Sequence, residues 1–459
     1  MYLIALKHTI LKKYILLLLL VCSATLIAQN PLIRNQFTAD PTARVFNGKV
    51  YMFPSHDIIS PLEPERNWFC MEDYHVYSSD NLVDWMDHGI IVTQNKVPWV
   101  KEDSYSMWAP CAVEKDGKYY FYFPAAAKQE YGNGSMVGVA VADKPEGPYT
   151  PMERPISGTN GIDPCVFIDK DGQAYLYWCG GGMWVAKLKP NMIELDGERQ
   201  QVQGLPPGGG LKEGPFVFER NGIYYYTYPW VKNNTTEVLY YCMGDSPMGP
   251  FRDGGIIMDE SPTGCWTNHH SFIDFKDQWY LFYHHNDYSP DFDKNRSARI
   301  DSVTFKPDGT IQKVTPTLRG VGLTDAKKEI HIDRYSSISD TAAFVTFNNP
   351  RLTFEGWKTV FKNAEGWVRY NNVEFGQGTL KKSKARVYSP SGGTLVVCAG
   401  INDSAPVIAK IEVPAGGRWL VLNADLLKPV SGVQNLFVYA EFGGAKRNQA
   451  VQVDWISFE

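Results

Sequence analysis

DPTARVFNGKVYMF, residues 40–53, holds the pattern that decides the fold: an acid before proline, a short apolar strand, an Asn-Gly pair, and a strand rich in large side chains. An Asn-Gly pair between apolar runs is a strong hairpin signal, because both central residues of such a turn favour positive φ. The pattern returns as APCAVEKDGKYYFYF (109–123), DPCVFIDKDGQAYLYW (163–178), EGPFVFERNGIYYYTY (213–228) and HHSFIDFKDQWYLFYH (269–284). Successive starts are 69, 54, 50 and 56 residues apart, so each interval has room for two more strands. That period predicts an all-β chain in which a five-bladed β-propeller of four-stranded blades occupies residues 29–325. A β-sandwich with repeated hairpins is the alternative. An aromatic content of 14%, concentrated at one point of each repeat, favours the propeller.

Beyond about residue 325 the repeat stops. Alternating segments such as GTLVVCAG (393–400), APVIAKIEVP (405–414), NLFVYAEF (435–442) and AVQVDWISF (450–458) predict a second, sandwich-type domain over 330–459. At the other end, Lys7, Lys12 and Lys13 precede the apolar run ILLLLLVCSATLIA (15–28), the order of a secretory signal peptide and too short to span a bilayer. Cleavage after Ala28 predicts a secreted or periplasmic protein without a transmembrane segment; Cys22 offers a lipoprotein-type surface anchor as the alternative. Loss of the three lysines moves the formal charge from −5 to about −8, which disfavours nucleic acid as a partner. Seven cysteines remain, with neither CxxC spacing nor disulfide-scaffold density, and read mostly as small core residues.

In a propeller the first strand of each blade lines the axis, so the residues opening the repeats converge on one funnel. Three of the five openers are acids: Asp40, Asp163 and Glu213. A single Asp-Pro is usually only a strand start with a turn cap. Three acids at equivalent places suggest chemistry, and glycosidic hydrolysis needs one carboxyl to protonate the leaving oxygen and another to activate water or attack the sugar. Glu213, followed by Gly-Pro, suits the acid, whose proton is kept by burial or by a nearby charge that Asp163 can supply. His269 and His270 open the fifth repeat and face the same axis, as hydrogen-bonded structure or as a metal or water ligand. Trp85, Trp108, Trp178, Trp184, Trp230 and Trp266, with His56 and Arg296, supply stacking faces and donors suited to sugars, although blade packing claims most such aromatics.

The motifs NPLIRNQFTADPT (30–42), GIDPCVF (161–167) and LKEGPFVF (211–218), in this order, resemble glycoside hydrolase family 43 over roughly residues 29–325. The resemblance implies a five-bladed propeller and an inverting mechanism, with Asp40 as general base, Glu213 as general acid and Asp163 raising and orienting the acid. It implies a base-to-acid separation of about 6.5–9.5 Å. TNHHSF (267–272) is similar to the family's metal- or water-binding segment, which makes His269 a candidate ligand; no cofactor is needed for the chemistry, and calcium is the cation implied. NRSARIDSVTFKPDGTI (295–311) is similar to its last-blade segment, which assigns Arg296 to the first sugar subsite. The IDP and EGP motifs differ from those of the fructan-cleaving relatives.

The tail, from SPSGGTLVVCAG (389–400) to the closing VDW, resembles a family 6 carbohydrate-binding module, which implies a calcium ligand at Asp454 and sugar-stacking candidates at Trp367 and Trp419. Together these features predict an exo-acting, inverting hydrolase of polysaccharide side chains, foremost an α-L-arabinofuranosidase. β-Xylosidase or galactofuranosidase activity is the nearest alternative, and a non-catalytic carbohydrate-binding propeller is the rival of another class. Loops 58–71, 128–135 and 231–236 are expected to shape the subsite.

Overall fold

The computed structural model of the protein describes residues 29–61, 68–233, 235–443 and 449–459; the expected signal segment lies outside them. The repeats fold as expected into antiparallel sheets, each numbered outward from its opening strand. Blade one comprises Ala39–Phe46, Lys49–Asp57, Met71–Ser79 and Met86–Thr93. Blade two comprises Cys111–Lys115, Lys118–Ala126, Ser135–Ala142 and Thr150–Pro151. Blade three comprises Ile162–Ile168, Ala174–Cys179, Met183–Lys187 and Gln200–Gln201, and blade four Phe216–Arg220, Ile223–Trp230, Val238–Gly244 and Arg252–Met258. First strands touch around a closed ring: one against two, two against three, three against four, four against five, and five against one.

Blade five departs from the expected four strands. Among the described residues it has three: Ser271–Phe275, Gln278–His285 and Ser297–Val303. Its outer edge is covered instead by the segment entering the propeller. Leu32 N–H donates to Ala298 O (2.8 Å), Thr38 N–H to Arg296 O (2.9 Å), and the Asn30 side chain accepts from Ile300 N–H (2.8 Å). An open edge would expose unpaired backbone groups, and this segment satisfies them.

The hairpin turns follow the sequence at Asn47-Gly48 (φ 51° and 76°), Asp116-Gly117 (53° and 75°) and Asn221-Gly222 (53° and 82°). Blade five makes the same turn with Lys276-Asp277 (54° and 63°), without glycine. Blade three differs from expectation: the loop runs from Asp169 to Gln173, closed by Gly172 N–H to Asp169 O (2.8 Å), and of the Asp-Gly pair only Gly172 has positive φ.

The second unit packs a six-stranded and a five-stranded sheet around one core containing Phe361, Val368, Tyr370, Val387, Val397, Val438, Val453 and Ile456. It begins slightly earlier than the repeat suggested, since Thr324–Asp325 pairs in parallel with Trp367–Glu374. Aromatic contacts hold the two units together: Phe37 on Phe354 (4.8 Å) and Tyr288 on Trp357 (4.6 Å), with the Arg334 guanidinium 3.7 Å from the Trp357 ring centre. Among the described residues no helix is long and apolar enough to cross a membrane.

Candidate active site

At the mouth of the axis lies a cavity of about 200 Å³ lined by all three predicted acids, Asp40, Asp163 and Glu213, together with Arg296, His269 and Trp108. Asp40 and Asp163 share an unusual backbone, with φ of 46° and 57°. Non-glycine residues rarely hold positive φ, and Asp tolerates it best, so the two Asp-Pro openers use one strained geometry to turn a carboxyl inward. Glu213 is turned inward differently. Its successor, Gly214, takes φ 54°, and a Cβ there would lie 2.9 Å from His269 Nδ1 and from the Pro229 ring. Only glycine fits this conformation and this approach.

Arg296 organises the base side of the cavity. Its Nη1 and Nη2 donate to Asp40 Oδ1 (2.8 Å) and Oδ2 (3.3 Å), while Nε and Nη2 donate to the two oxygens of Asp57 (2.9 Å each). Nη1 also donates to Thr267 Oγ1 (3.2 Å), so every guanidinium proton has a protein partner. Asp40 Oδ2 accepts from Ser55 Oγ (2.9 Å), and its N–H donates to His284 Nδ1 (3.0 Å). Burial alone would raise the Asp40 pKa, but the Arg296 charge, with the Ser55 hydrogen bond, holds it below the usual carboxylate range. The histidines themselves are neutral: burial pushes His269 down to about 4 and His284 well below its ordinary value.

The opposite wall behaves in the other sense. Burial, then the negative potential of Glu237 and Asp40, pushes the Glu213 carboxyl well above its ordinary range. Asp163 is raised by burial, then by Glu213 and Asp40, while one of its oxygens accepts from Gly214 N–H (3.0 Å). Glu237 was not anticipated from the sequence. It is buried, acts electrostatically on Glu213, and accepts from Asn268 N–H through Oε2 (2.9 Å), with its own pKa raised to about 7 by burial. With Arg296 committed to Asp40 and Asp57, the remaining acids Asp163, Glu213 and Glu237 cannot all ionise together. The site therefore places a carboxyl held low, Asp40, and a carboxyl held high, Glu213, in one small cavity.

Aromatic walls complete it. Trp108, Trp266 and Phe69 line the cavity, and the half-exposed Trp68 and Leu211 form its rim. Trp68 and Phe69 come from the expected 58–71 loop; the described residues of 128–135 and 231–236 do not line the cavity. Trp85, Trp178 and Trp230 are core, and Trp184 stacks under Arg199 (4.2 Å) elsewhere.

Other expected ligands are placed differently. His56 does not reach the cavity; it faces the other side of its strand, bonded to Asp73 (2.8 Å), because strand alternation gives the axis side to Ser55 and Asp57. His269 does line the cavity, and no group of three ligating His, Cys, Asp or Glu side chains among the described residues includes it. The Asp454 carboxylate pairs with Arg386 and accepts from Asn348 (3.4 Å), with His331 at 3.6 Å. Trp367 stacks on Phe437 (5.3 Å) on one sheet and Trp419 lies near Tyr388 (5.8 Å) on the other, both half-buried and away from the cavity.

A five-bladed propeller whose axial pocket holds one carboxyl with a lowered pKa and another with a raised one has the pair of acids that glycosidic hydrolysis requires. The family described as Glycosyl hydrolases family 43 matches residues 28–311, and the chain belongs to it. It is 37% identical over 337 residues to the xylosidase/arabinosidase 43A of Humicola insolens, covering 62% of this chain and 99% of that one. Among solved structures it is similar to a family 43 β-xylosidase/α-arabinofuranosidase from a compost microbial metagenome, crystallised with xylotriose in a calcium-free form (33% identity, TM-score 0.57, covering 62% of this chain and 97% of that one). It is also similar to an arabinoxylan arabinofuranohydrolase of Bacillus subtilis in complex with cellotetraose, at 25% identity and TM-score 0.54, over 95% of this chain and 99% of that one.

Proposed function

We propose that the protein is an exported, exo-acting, inverting glycosidase that removes arabinofuranosyl residues from arabinoxylan-type polysaccharides. Asp40 acts as general base, Glu213 as general acid, and Asp163 and Glu237 keep the acid protonated. The observation that carries this is the opposite pKa displacement of Asp40 and Glu213 within one cavity. A cavity of about 200 Å³ lies below the ~300–1,000 Å³ of larger ligand sites, which suits one terminal ring rather than a stretch of polymer. Water activated by Asp40 attacks the anomeric carbon as Glu213 protonates the departing oxygen, and the configuration inverts. Arg296, with its donors engaged, contributes chiefly by keeping Asp40 ionised.

β-Xylosidase activity is the second reading, supported by the names of the relatives reported above, which couple xylosidase with arabinosidase. Hydrolysis of aryl α-L-arabinofuranoside, β-D-xyloside and β-D-galactofuranoside by wild type and Asp40→Asn tests both readings. Cleavage of the arabinofuranoside, abolished in the variant, supports the first. Silence across this panel and natural polysaccharides returns the chain to the binding-protein alternative.

A further inference from the structure

Blade one carries a second constellation outside the acidic cavity. Ser55 pairs with Tyr74, so His56 on the second strand falls opposite Asp73 on the third, and His75 lies two residues beyond Asp73 on the same face. One ligand atom from each of His56, Asp73 and His75 lies within 4.8 Å of the other two. We propose that these three side chains bind a late first-row divalent cation, foremost zinc. Two imidazoles and one carboxylate suit such a metal, whereas calcium and magnesium favour all-oxygen sets.

The surroundings support the assignment. His75 is held through Nδ1 by both oxygens of Asp87 (3.0 and 3.2 Å), which leaves Nε2 as its metal-binding atom. A carboxylate behind a histidine is the usual outer support of a histidine ligand, fixing its tautomer and orientation. The His56 and His75 rings stand 5.4 Å apart at 76°, so they approach a shared point from different directions. The side chains of His56 and His75 are 20% and 12% exposed, which gives an ion a route in, while Asp73 is buried beneath them. Binding replaces the His56–Asp73 hydrogen bond (2.8 Å) with two coordinate bonds, the imidazole keeping its one N–H on Nε2 when Nδ1 takes the metal.

The site would fasten the second and third strands of blade one directly behind the catalytic cavity. Ser55 and Asp57, flanking His56, hold Asp40 and Arg296 on the other face. The ion thus braces the strand that positions the base without touching the reacting groups.

The test is titration of the chelator-stripped full chain with zinc by calorimetry and with cobalt by visible absorption. Wild type should take up one equivalent of either ion, with the cobalt bands of a low-coordinate nitrogen and oxygen site, and zinc should raise its melting temperature. His56→Ala and His75→Gln should each abolish uptake. Asp87→Asn should weaken it about 10–100-fold, and His269→Ala should leave it unchanged. Absence of uptake by wild type overturns the proposal, as does equal uptake by the folded His56→Ala or His75→Gln proteins, or loss of uptake in His269→Ala alone.

Discussion

Arg296 Nη1 lies 2.8 Å from Asp40 Oδ1, and the same guanidinium grips Asp57 with two further bonds, so the last blade clamps two acids of the first. The clamp closes the ring where the first and last blades meet and also sets the charge of the base. Structure and chemistry share one side chain.

Replacing Arg296 with Met should therefore act twice. It leaves two buried carboxylates without their cation, which costs about 3–5 kcal/mol of stability. It also lets the Asp40 pKa rise, so that the acidic limb of the pH–rate profile moves to higher pH. Arg296→Lys, which keeps the charge but not the fork, should shift that limb less; kcat/KM against pH for both variants checks the order.

Glu237→Gln tests a positioning role. Glu237, raised to about 7, ionises before Glu213, and its charge then helps Glu213 retain a proton. Removing that charge lowers the Glu213 pKa, so the basic limb of the profile should move to lower pH with the optimum rate changed little. Glu237→Asp should partly restore the wild-type limb, whereas a purely structural role would lower activity without moving it.

The buried acid also predicts a stability signature. A carboxyl whose pKa is raised in the fold stabilises fully below its unfolded pKa, about 4.3, and loses that contribution as pH rises towards the folded value, at about 1.36 kcal/mol per pH unit. Glu213→Gln does not titrate. Its melting temperature relative to wild type should climb as pH is raised from 4 to 8, and a constant difference would show that Glu213 is not held protonated.

Gly214→Ala places a methyl group at positive φ and 2.9 Å from His269 and Pro229. A loss of about 1–3 kcal/mol is expected, with a fall in kcat as Glu213 is displaced. Thermal unfolding and steady-state kinetics on the same sample report both.

Much of this was legible because repetition carries positional information. Asp40, Asp163 and Glu213 open their repeats, and a ring of first strands brings openers together. Glu237 gave no such signal: it precedes the third strand of blade four, where no motif marks an inward turn. His284 likewise reaches Asp40, and Thr267 reaches Arg296, through contacts across the chain. His56 was misplaced although alternation held the answer, since in Ser55-His56-Asp57 the first and third residues share one face. The fourth strand of blade five was expected from the period, but the incoming segment at Asn30–Thr38 supplies its edge instead.

The most direct measurement compares Glu213→Gln with wild type on an aryl arabinofuranoside bearing an activated leaving group and on a natural arabinoxylan oligosaccharide. An activated aryl group departs without a proton, so the variant should lose far less rate on it, with the oligosaccharide reaction suppressed about 10²–10⁴-fold. Equal losses on both substrates would contradict the assignment of Glu213 as the proton donor and the account built on it.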